Sequence, residues 1–156
     1  MIVLTLPPPI SANAYWGTRI VKPRGKPAMA MVYVTHEARG YKAEVAKICA
    51  AHGIVKPLVG RIAMAIRLFP HRPLDWQKRQ RVHGAAWDDT VRAVDLDNAN
   101  KVLLDALKDI AFEDDKWVRR LTSERMEPDE HGARVIVAIS QLAVPVVQPS
   151  LIAEAA

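Results

Sequence analysis

The sequence of 156 residues has little cysteine, no long apolar run and no leader pattern. Its single cysteine, Cys49, has no partner for an intrachain disulfide, which favours a reducing compartment. A membrane-spanning helix needs about 18 or more consecutive apolar residues, and no such run is present. The first residues lack a basic segment followed by a long apolar one, so they predict a strand and not a signal peptide. We therefore expect a cytoplasmic protein without membrane partners.

Histidine and cysteine do not occur at the spacing of a metal site. His36 and His52 fall at the two ends of a predicted helix, and no second histidine or cysteine follows either at ligand spacing. We expect both to form local hydrogen bonds.

The composition describes a basic chain long enough for one domain. Half of the residues are apolar and a quarter are charged, with a formal net charge of +5 and a pI of about 9.6. A basic surface favours polyanions such as nucleic acid. Charge alone does not decide this, because many small proteins are mildly basic without a specific partner.

Apolar periodicity predicts several strands and two main helices. Alternation or β-rich composition predicts strands over residues 2–6, 31–34, 61–69, 92–96, 117–126 and 133–140. Helical spacing predicts helices over residues 36–52 and 98–110, with Thr35 and Asp97 as their N-caps. Residues 141–156 form a tail that is either disordered or covers a partner subunit.

Two basic segments interrupt these elements. Residues 17–30 predict a mobile loop, and residues 70–92 predict a long excursion in which Trp76 and Trp87 alternate with cations. Basic residues in both segments suit contact with phosphates, and the tryptophans of the second could stack on bases. Alternatively, residues 17–30 are a solvated connection and residues 70–92 a disordered or self-packed insertion. The candidate DNA-binding residues are Arg19, Lys22, Arg24, Lys26, Arg72, Lys78, Arg79, Arg81 and Arg92.

An acidic motif at the predicted strand end at residues 92–96 indicates a metal site. Asp95 and Asp97 are two residues apart, so on a strand their carboxylates share a face and repel unless a cation lies between them. A helix–turn–strand unit would return Asp115 as a third ligand. Oxygen donors of this kind, with water and a substrate phosphate, are typical of Mg²⁺, which activates water and polarises phosphate.

Two rival interpretations of the acidic motif are a calcium loop and helix capping. A calcium-binding EF-hand fails, because Ala99, Asn100 and Ala106 replace the ligand at its fifth position, its glycine and its bidentate glutamate. Capping by the two aspartates stays open.

Lys101 also has two interpretations. Spacing of four residues predicts a surface ladder of Asp97, Lys101 and Asp105. Alternatively, Lys101 neutralises charge that develops on a scissile phosphate.

The combination of motifs resembles one family. The segments Asp95-Leu-Asp-Asn98, Lys101, Leu104-Asp-Ala-Leu107 and Glu113-Asp-Asp115, within about residues 2–140, resemble the RusA family of Holliday junction resolvases. These are small endodeoxyribonucleases common in phages and prophages. The resemblance implies a single α+β domain with a small mixed sheet in an intertwined homodimer. It further implies Mg²⁺-dependent paired nicking of four-way DNA junctions in recombination and repair, with Mn²⁺ tolerated in its place.

The resemblance also implies roles for particular residues. Asp95, Asp97 and Asp115 match its metal-binding aspartates and Lys101 its functional lysine, while Asp114, Asn98 and Asp105 would support them. The RusA-like domain would span residues 1–140, and residues 71–92 depart from the family pattern. The protein would act in a bacterial or phage-infected cell. The alternative is a catalytically silent protein that binds DNA junctions or single strands.

Overall fold

A computed structural model describes residues 1–145 and shows a four-stranded mixed sheet packed against helices. The strands are β1 (Ile2–Leu6), β4 (Ile62–Phe69), β5 (Val118–Arg125) and β6 (Arg134–Gln141), in the spatial order β1-β6-β4-β5. The β4–β5 pair is parallel, whereas β6 runs antiparallel to both β1 and β4. This confirms the predicted α+β class and its small mixed sheet.

One face of the sheet forms the core. In β4, Ile62, Met64, Ile66 and Leu68 are buried, while Arg67 between the last two is exposed. Because successive strand residues point to opposite faces, this period of two buries one side and leaves the other open. The buried side packs in one apolar cluster with the two main helices, α2 (His36–Ala51) and α4 (Leu96–Leu107).

The boundaries of α2 follow local chemistry. The Thr35 hydroxyl accepts the Ala38 N–H at 3.2 Å, which confirms the predicted N-cap. At the other end, His52 Nδ1 lies 2.9 Å from the Ile48 carbonyl oxygen, the local bond expected for that histidine. Gly53 then takes a positive φ of 78°, as glycine after a helix commonly does.

The predicted mobile loop over residues 17–30 is wrong, because the structure shows a β-hairpin. The hairpin joins β2 (Trp16–Val21) to β3 (Met29–Val34) with antiparallel pairing throughout. The glycine, proline and lysine residues that suggested a loop are concentrated at the turn, where the Lys26 N–H donates to the Pro23 carbonyl at 3.1 Å. β-Branched residues on either side favour strands.

The hairpin exposes apolar side chains. Ile20 and Val32 are 80% and 65% exposed. The register pairs Thr18 with Val32, which places Ile20, Val32 and Trp16 on one face. An isolated two-stranded hairpin is at best marginally stable in water, so this face is suited to covering by another surface.

The excursion after β4 is ordered and self-packed. It contains α3 (Trp76–His83) and a 3₁₀ segment over Gly84–Thr90. Trp87 is buried, with its Nε1 donating to Glu127 Oε1 at 2.7 Å, so its ring is not available to stack on a base. Of the two interpretations left open by the sequence, a self-packed insertion is correct for Trp87.

The predicted strand over residues 92–96 is also wrong. Residues 92–95 are irregular chain that leads into α4. Val91 is buried and Val94 packs against the core, so apolar residues that suggested a strand are covered without one.

Two shorter features complete the described chain. The predicted turn at 11–15 is a short helix, α1 (Ala12–Tyr15), capped by the Ser11 hydroxyl. None of the helices in residues 1–145 combines the length and hydropathy needed to cross a membrane. The predicted tail begins within β6, and its residues 146–156 lie outside the described part.

Candidate active site

The site begins at one edge of the sheet. β1 and β4 both run antiparallel to β6, so they point in the same direction. Leu6 pairs with Val135 and Phe69 with Arg134, so the carboxyl ends of β1 and β4 lie at the same edge. An open cleft of about 300 Å³ lies beside this edge. Its lining residues are Ser11, Arg92, Ala93, Val94, Asp95 and Asn98.

Asp95 occupies the N-cap position of α4. Its φ and ψ of −63° and 142° are extended, and its carbonyl accepts the Ala99 N–H at 2.9 Å. Its exposed carboxylate makes no hydrogen bond or salt bridge within residues 1–145. The predicted cap at Asp97 is therefore wrong by two residues, since Asp97 lies inside the first turn.

The predicted placement of the two aspartates on one face of a strand is also wrong, because neither lies on a strand. What brings Asp95 and Asp97 together is the first turn of α4. The exposed N–H groups and positive dipole end of a helix favour negative charge at this position.

Lys101 forms half of the predicted ladder. Its Nζ lies 3.4 Å from Asp97 Oδ2, and both side chains are mostly exposed. Asp105 instead accepts a hydrogen bond from the hydroxyl of Tyr15. Burial, and after it this hydrogen bond, raises the pKa of Tyr15 above its ordinary value. Asp105 is therefore tied to α1.

A second open cleft, of about 360 Å³, lies along the carboxyl-terminal half of α4. It is lined by Trp16, Lys101, Leu104, Asp105, Lys108 and Asp115. Lys108 Nζ lies 3.2 Å from Asp114 Oδ2 and 4.0 Å from Asp115 Oδ1, and the Asp114 carboxylate raises the pKa of Lys108. Sequence reasoning missed Lys108, although its distance of seven residues from Lys101 places both on one helix face.

Asp114 has a structural role that positions its neighbour. It caps a 3₁₀ turn over Asp115–Trp117, with Oδ1 accepting the Lys116 N–H at 3.0 Å. That N–H is the largest of the causes, ahead of the neighbouring Asp115 carboxyl and the Lys108 ammonium, that lower the pKa of Asp114 to about 2. Asp114 thus stays ionised and holds the turn on which Asp115 lies.

Asp95 and Asp115 lie toward opposite ends of α4. The helix has 12 residues, or about 18 Å at 1.5 Å per residue. Asp115 precedes Val118, which pairs with Ile62 at the first position of β4, whereas Asp95 lies beyond the other end of that strand. No group of three or more acidic, histidine or cysteine side chains within residues 1–145 is arranged to hold a metal ion. The expected return of Asp115 to the other aspartates does not occur within one chain.

The predicted DNA-binding residues of the excursion separate into bound and available cations. Arg79 is committed to the fold, because it donates to Asp75 Oδ1 at 2.8 Å and to the Thr90 carbonyl at 2.9 Å. Lys78 and Arg81 are exposed and form no salt bridge in the described chain.

The remaining predicted cations are distributed over the hairpin and the cleft edge. Arg19 stacks over the Tyr33 ring at 5.6 Å, and Arg92 is exposed in the cleft of Asp95. Lys22, Arg24 and Lys26 are exposed at the hairpin tip.

The fold and clefts define a class: a small α+β domain that presents carboxylates and cations along one helix, the surface chemistry of enzymes that act on phosphodiesters. The chain belongs to the RusA family of endodeoxyribonucleases. The family described as Endodeoxyribonuclease RusA matches residues 7–140, which confirms the family predicted from the motifs. No curated protein matches the sequence significantly. RusA-family nucleases generally depend on divalent metals.

Proposed function

We propose that this protein is a Mg²⁺-dependent, structure-selective endonuclease that resolves four-way DNA junctions by paired symmetric nicks in recombination and repair. The proposal rests on one arrangement in a RusA-family chain: the unpaired Asp95 carboxylate and the Asp97–Lys101 pair on the first turns of α4. Its DNA substrate is consistent with a cytoplasmic location.

The donor set at the start of α4 fits Mg²⁺. This ion prefers hard oxygen ligands and is usually held by one or two carboxylates together with substrate phosphates. Asp95 and Asp97 provide two exposed carboxylates there, and the phosphates of bound DNA would supply further oxygen ligands. When bound, the cation polarises the phosphate and favours ionisation of a water nucleophile.

Lys101 supports the same reaction through charge. Its ammonium group, held by Asp97 at 3.4 Å, lies where it would neutralise negative charge that builds up on the scissile phosphate. Asn98 lines the cleft of Asp95 and is suited to orient groups there.

We place Asp115 in the site through a second subunit. Within one chain α4 separates it from Asp95, so its role as a third ligand requires a partner chain. Two symmetric nicks also need two sites related by a two-fold axis, which a homodimer provides.

The hairpin supports a dimer because its apolar face has no cover within the described chain. Trp16 continues that face into the cleft that contains Asp115. We expect Val32→Glu to raise the dimer dissociation constant by about tenfold or more, since burial of a charge in an apolar interface is costly. Sedimentation measures this. Val55→Glu, at an exposed site in another part of the chain, is the control, and an unchanged dimer in Val32→Glu argues against this interface.

The direct test is a nicking assay with Mg²⁺ on mobile and static four-way junctions, with linear duplex as control. We expect paired nicks in the junctions and little cleavage of the duplex. Equal cleavage of duplex and junction would remove the structure selectivity, and no cleavage of any DNA would favour the silent binding protein.

A metal titration separates the nuclease from that alternative. Mg²⁺ at ten times its dissociation constant stabilises the folded state by about 1.4 kcal/mol, which raises the melting temperature by about 3–5 °C. We expect Asp95→Asn to lose most of this shift in a thermal melt. A protein that only binds DNA shows salt-sensitive binding without a metal effect.

A further inference from the structure

The excursion between β4 and α4 forms a rigid platform at the sheet edge that carries Asp95. The Trp87 indole donates to Glu127, and Arg125 Nη2 donates to the Asp88 carbonyl at 2.9 Å. These contacts fix the 3₁₀ segment to the last residue of β5 and to the chain that follows it. A platform held in this way presents its surface residues in a defined geometry.

One apolar side chain lies at the tip of this platform. Leu74 is fully exposed, at 101% of its reference surface. Pro73 restricts the backbone before it, and the Trp76 N–H closes the turn onto the Pro73 carbonyl at 3.1 Å. Leu74 is therefore an exposed apolar group on a restrained backbone.

The neighbouring tryptophan is less accessible than the leucine. The Arg72 guanidinium lies 4.9 Å from the centre of the Trp76 ring and is held by Glu130 at 3.6 Å. The buried Trp87 ring lies 6.2 Å from Trp76 on the platform. The side chain suited to contact bases is therefore Leu74, and not the tryptophans that the sequence suggested.

A chain of clefts connects Leu74 to the candidate site. The cleft that contains Leu74 shares His71 with the next one, which is lined by Phe69, Arg92 and Val94. That cleft shares Arg92 with the cleft of Asp95. A DNA strand that follows this surface would meet both Leu74 and the acidic end of α4.

Two cations lie on the helix that follows the leucine. Lys78 and Arg81 belong to α3, which begins two residues after Leu74. Both are exposed and form no salt bridge in the described residues. In DNA, phosphates lie on the outside of each step of stacked bases. Cations near an apolar tip can therefore bind phosphates while the tip contacts the bases.

We propose that Leu74 is a wedge that inserts between bases at the exchange point of a four-way junction while Lys78 and Arg81 hold adjacent phosphates. This inference rests on the proposed function. Apolar side chains are used in this way to unstack base steps. The cost of unstacking is lowest where pairing is already disturbed, so the wedge would favour junctions over duplex.

The test uses a static junction with 2-aminopurine beside the exchange point, in EDTA so that binding occurs without cleavage. Fluorescence should rise when the wild-type protein binds, because the base unstacks. At saturating protein, Leu74→Ala should show less than about half of that rise, since the wedge is shortened. Val82→Ala is the matched control, because Val82 is an exposed apolar residue of α3 that lies outside the tip.

The phosphate contacts have a separate readout. The double change Lys78→Ala and Arg81→Ala should weaken junction binding about tenfold and reduce its salt dependence. Unchanged affinity would overturn the phosphate contacts. Binding with an undiminished fluorescence rise in Leu74→Ala would overturn the wedge alone, whereas no junction binding by the wild-type protein would overturn the proposed function and the wedge together. Thermal melts of each variant check that it is folded. Because Leu74 is exposed, its replacement by alanine should leave the melting temperature nearly unchanged.

Discussion

Asp97→Asn is expected to reduce Mg²⁺-dependent cleavage of a four-way junction by about a thousandfold or more. A metal-binding carboxylate contributes several kcal/mol of transition-state stabilisation, and each 1.36 kcal/mol is about tenfold in rate. Asparagine keeps the shape of the side chain but loses the charge that attracts the cation. A nicking assay under single-turnover conditions measures the loss.

Junction binding should survive this substitution. Asp97 is an exposed residue in the first turn of α4, and its only salt bridge within residues 1–145 is the exposed one with Lys101. Loss of an exposed pair costs about 1 kcal/mol or less. Removal of a negative charge beside DNA leaves affinity unchanged or slightly increased, which a gel-shift titration in EDTA checks.

Asp109→Asn provides a matched control beyond the other end of the same helix. Asp109 is exposed and has a positive φ of 63°, a conformation that asparagine also tolerates. This variant should cleave like the wild type. Undiminished cleavage by Asp97→Asn would contradict the assigned site, and equal losses in both variants would indicate a general charge effect.

Elements encoded by local pattern were predictable. Alternation in β4, the apolar stripe of α4 and the Thr35 cap each depend on neighbours within a few residues, and each is present in the structure. The acidic motif identified its family for a similar reason, because its residues are close together in sequence.

Features that depend on distant contacts were not predictable in the same way. The composition of residues 17–30 predicts a loop because glycine, proline and basic residues are frequent there, whereas pairing with residues 29–34 makes residues 16–21 a strand. The apolar residues around Val94 predict a strand, although the burial of Val94 comes from packing of irregular chain. Strand geometry predicts that Asp95 and Asp97 share a face, whereas the first turn of α4 is what brings them together. The position of Asp115 depends on the length of α4 and on partner chains, which local spacing does not encode.

The separation of Asp115 from Asp95 within one chain leads to the second large expected effect on nicking activity. We expect Asp95→Asn and Asp115→Asn to be nearly inactive as separate homodimers, yet active when combined in one heterodimer. If each site takes Asp95 from one subunit and Asp115 from the other, the heterodimer has one doubly substituted site and one intact site. The physical basis is the length of α4, about 18 Å, which separates the two aspartates within a chain.

The experiment coexpresses the two variants with different affinity tags and purifies the heterodimer through both. One intact site in two should restore about half of the wild-type rate of first nicks, while paired nicks stay rare because the second site is inactive. Combining Asp95→Asn with Asp97→Asn is the matched control. Both of those residues lie at the start of α4 in the same chain, so every site in that heterodimer lacks a ligand and no activity should return. Failure of the first pair to recover nicking would show that Asp115 does not act across the subunits.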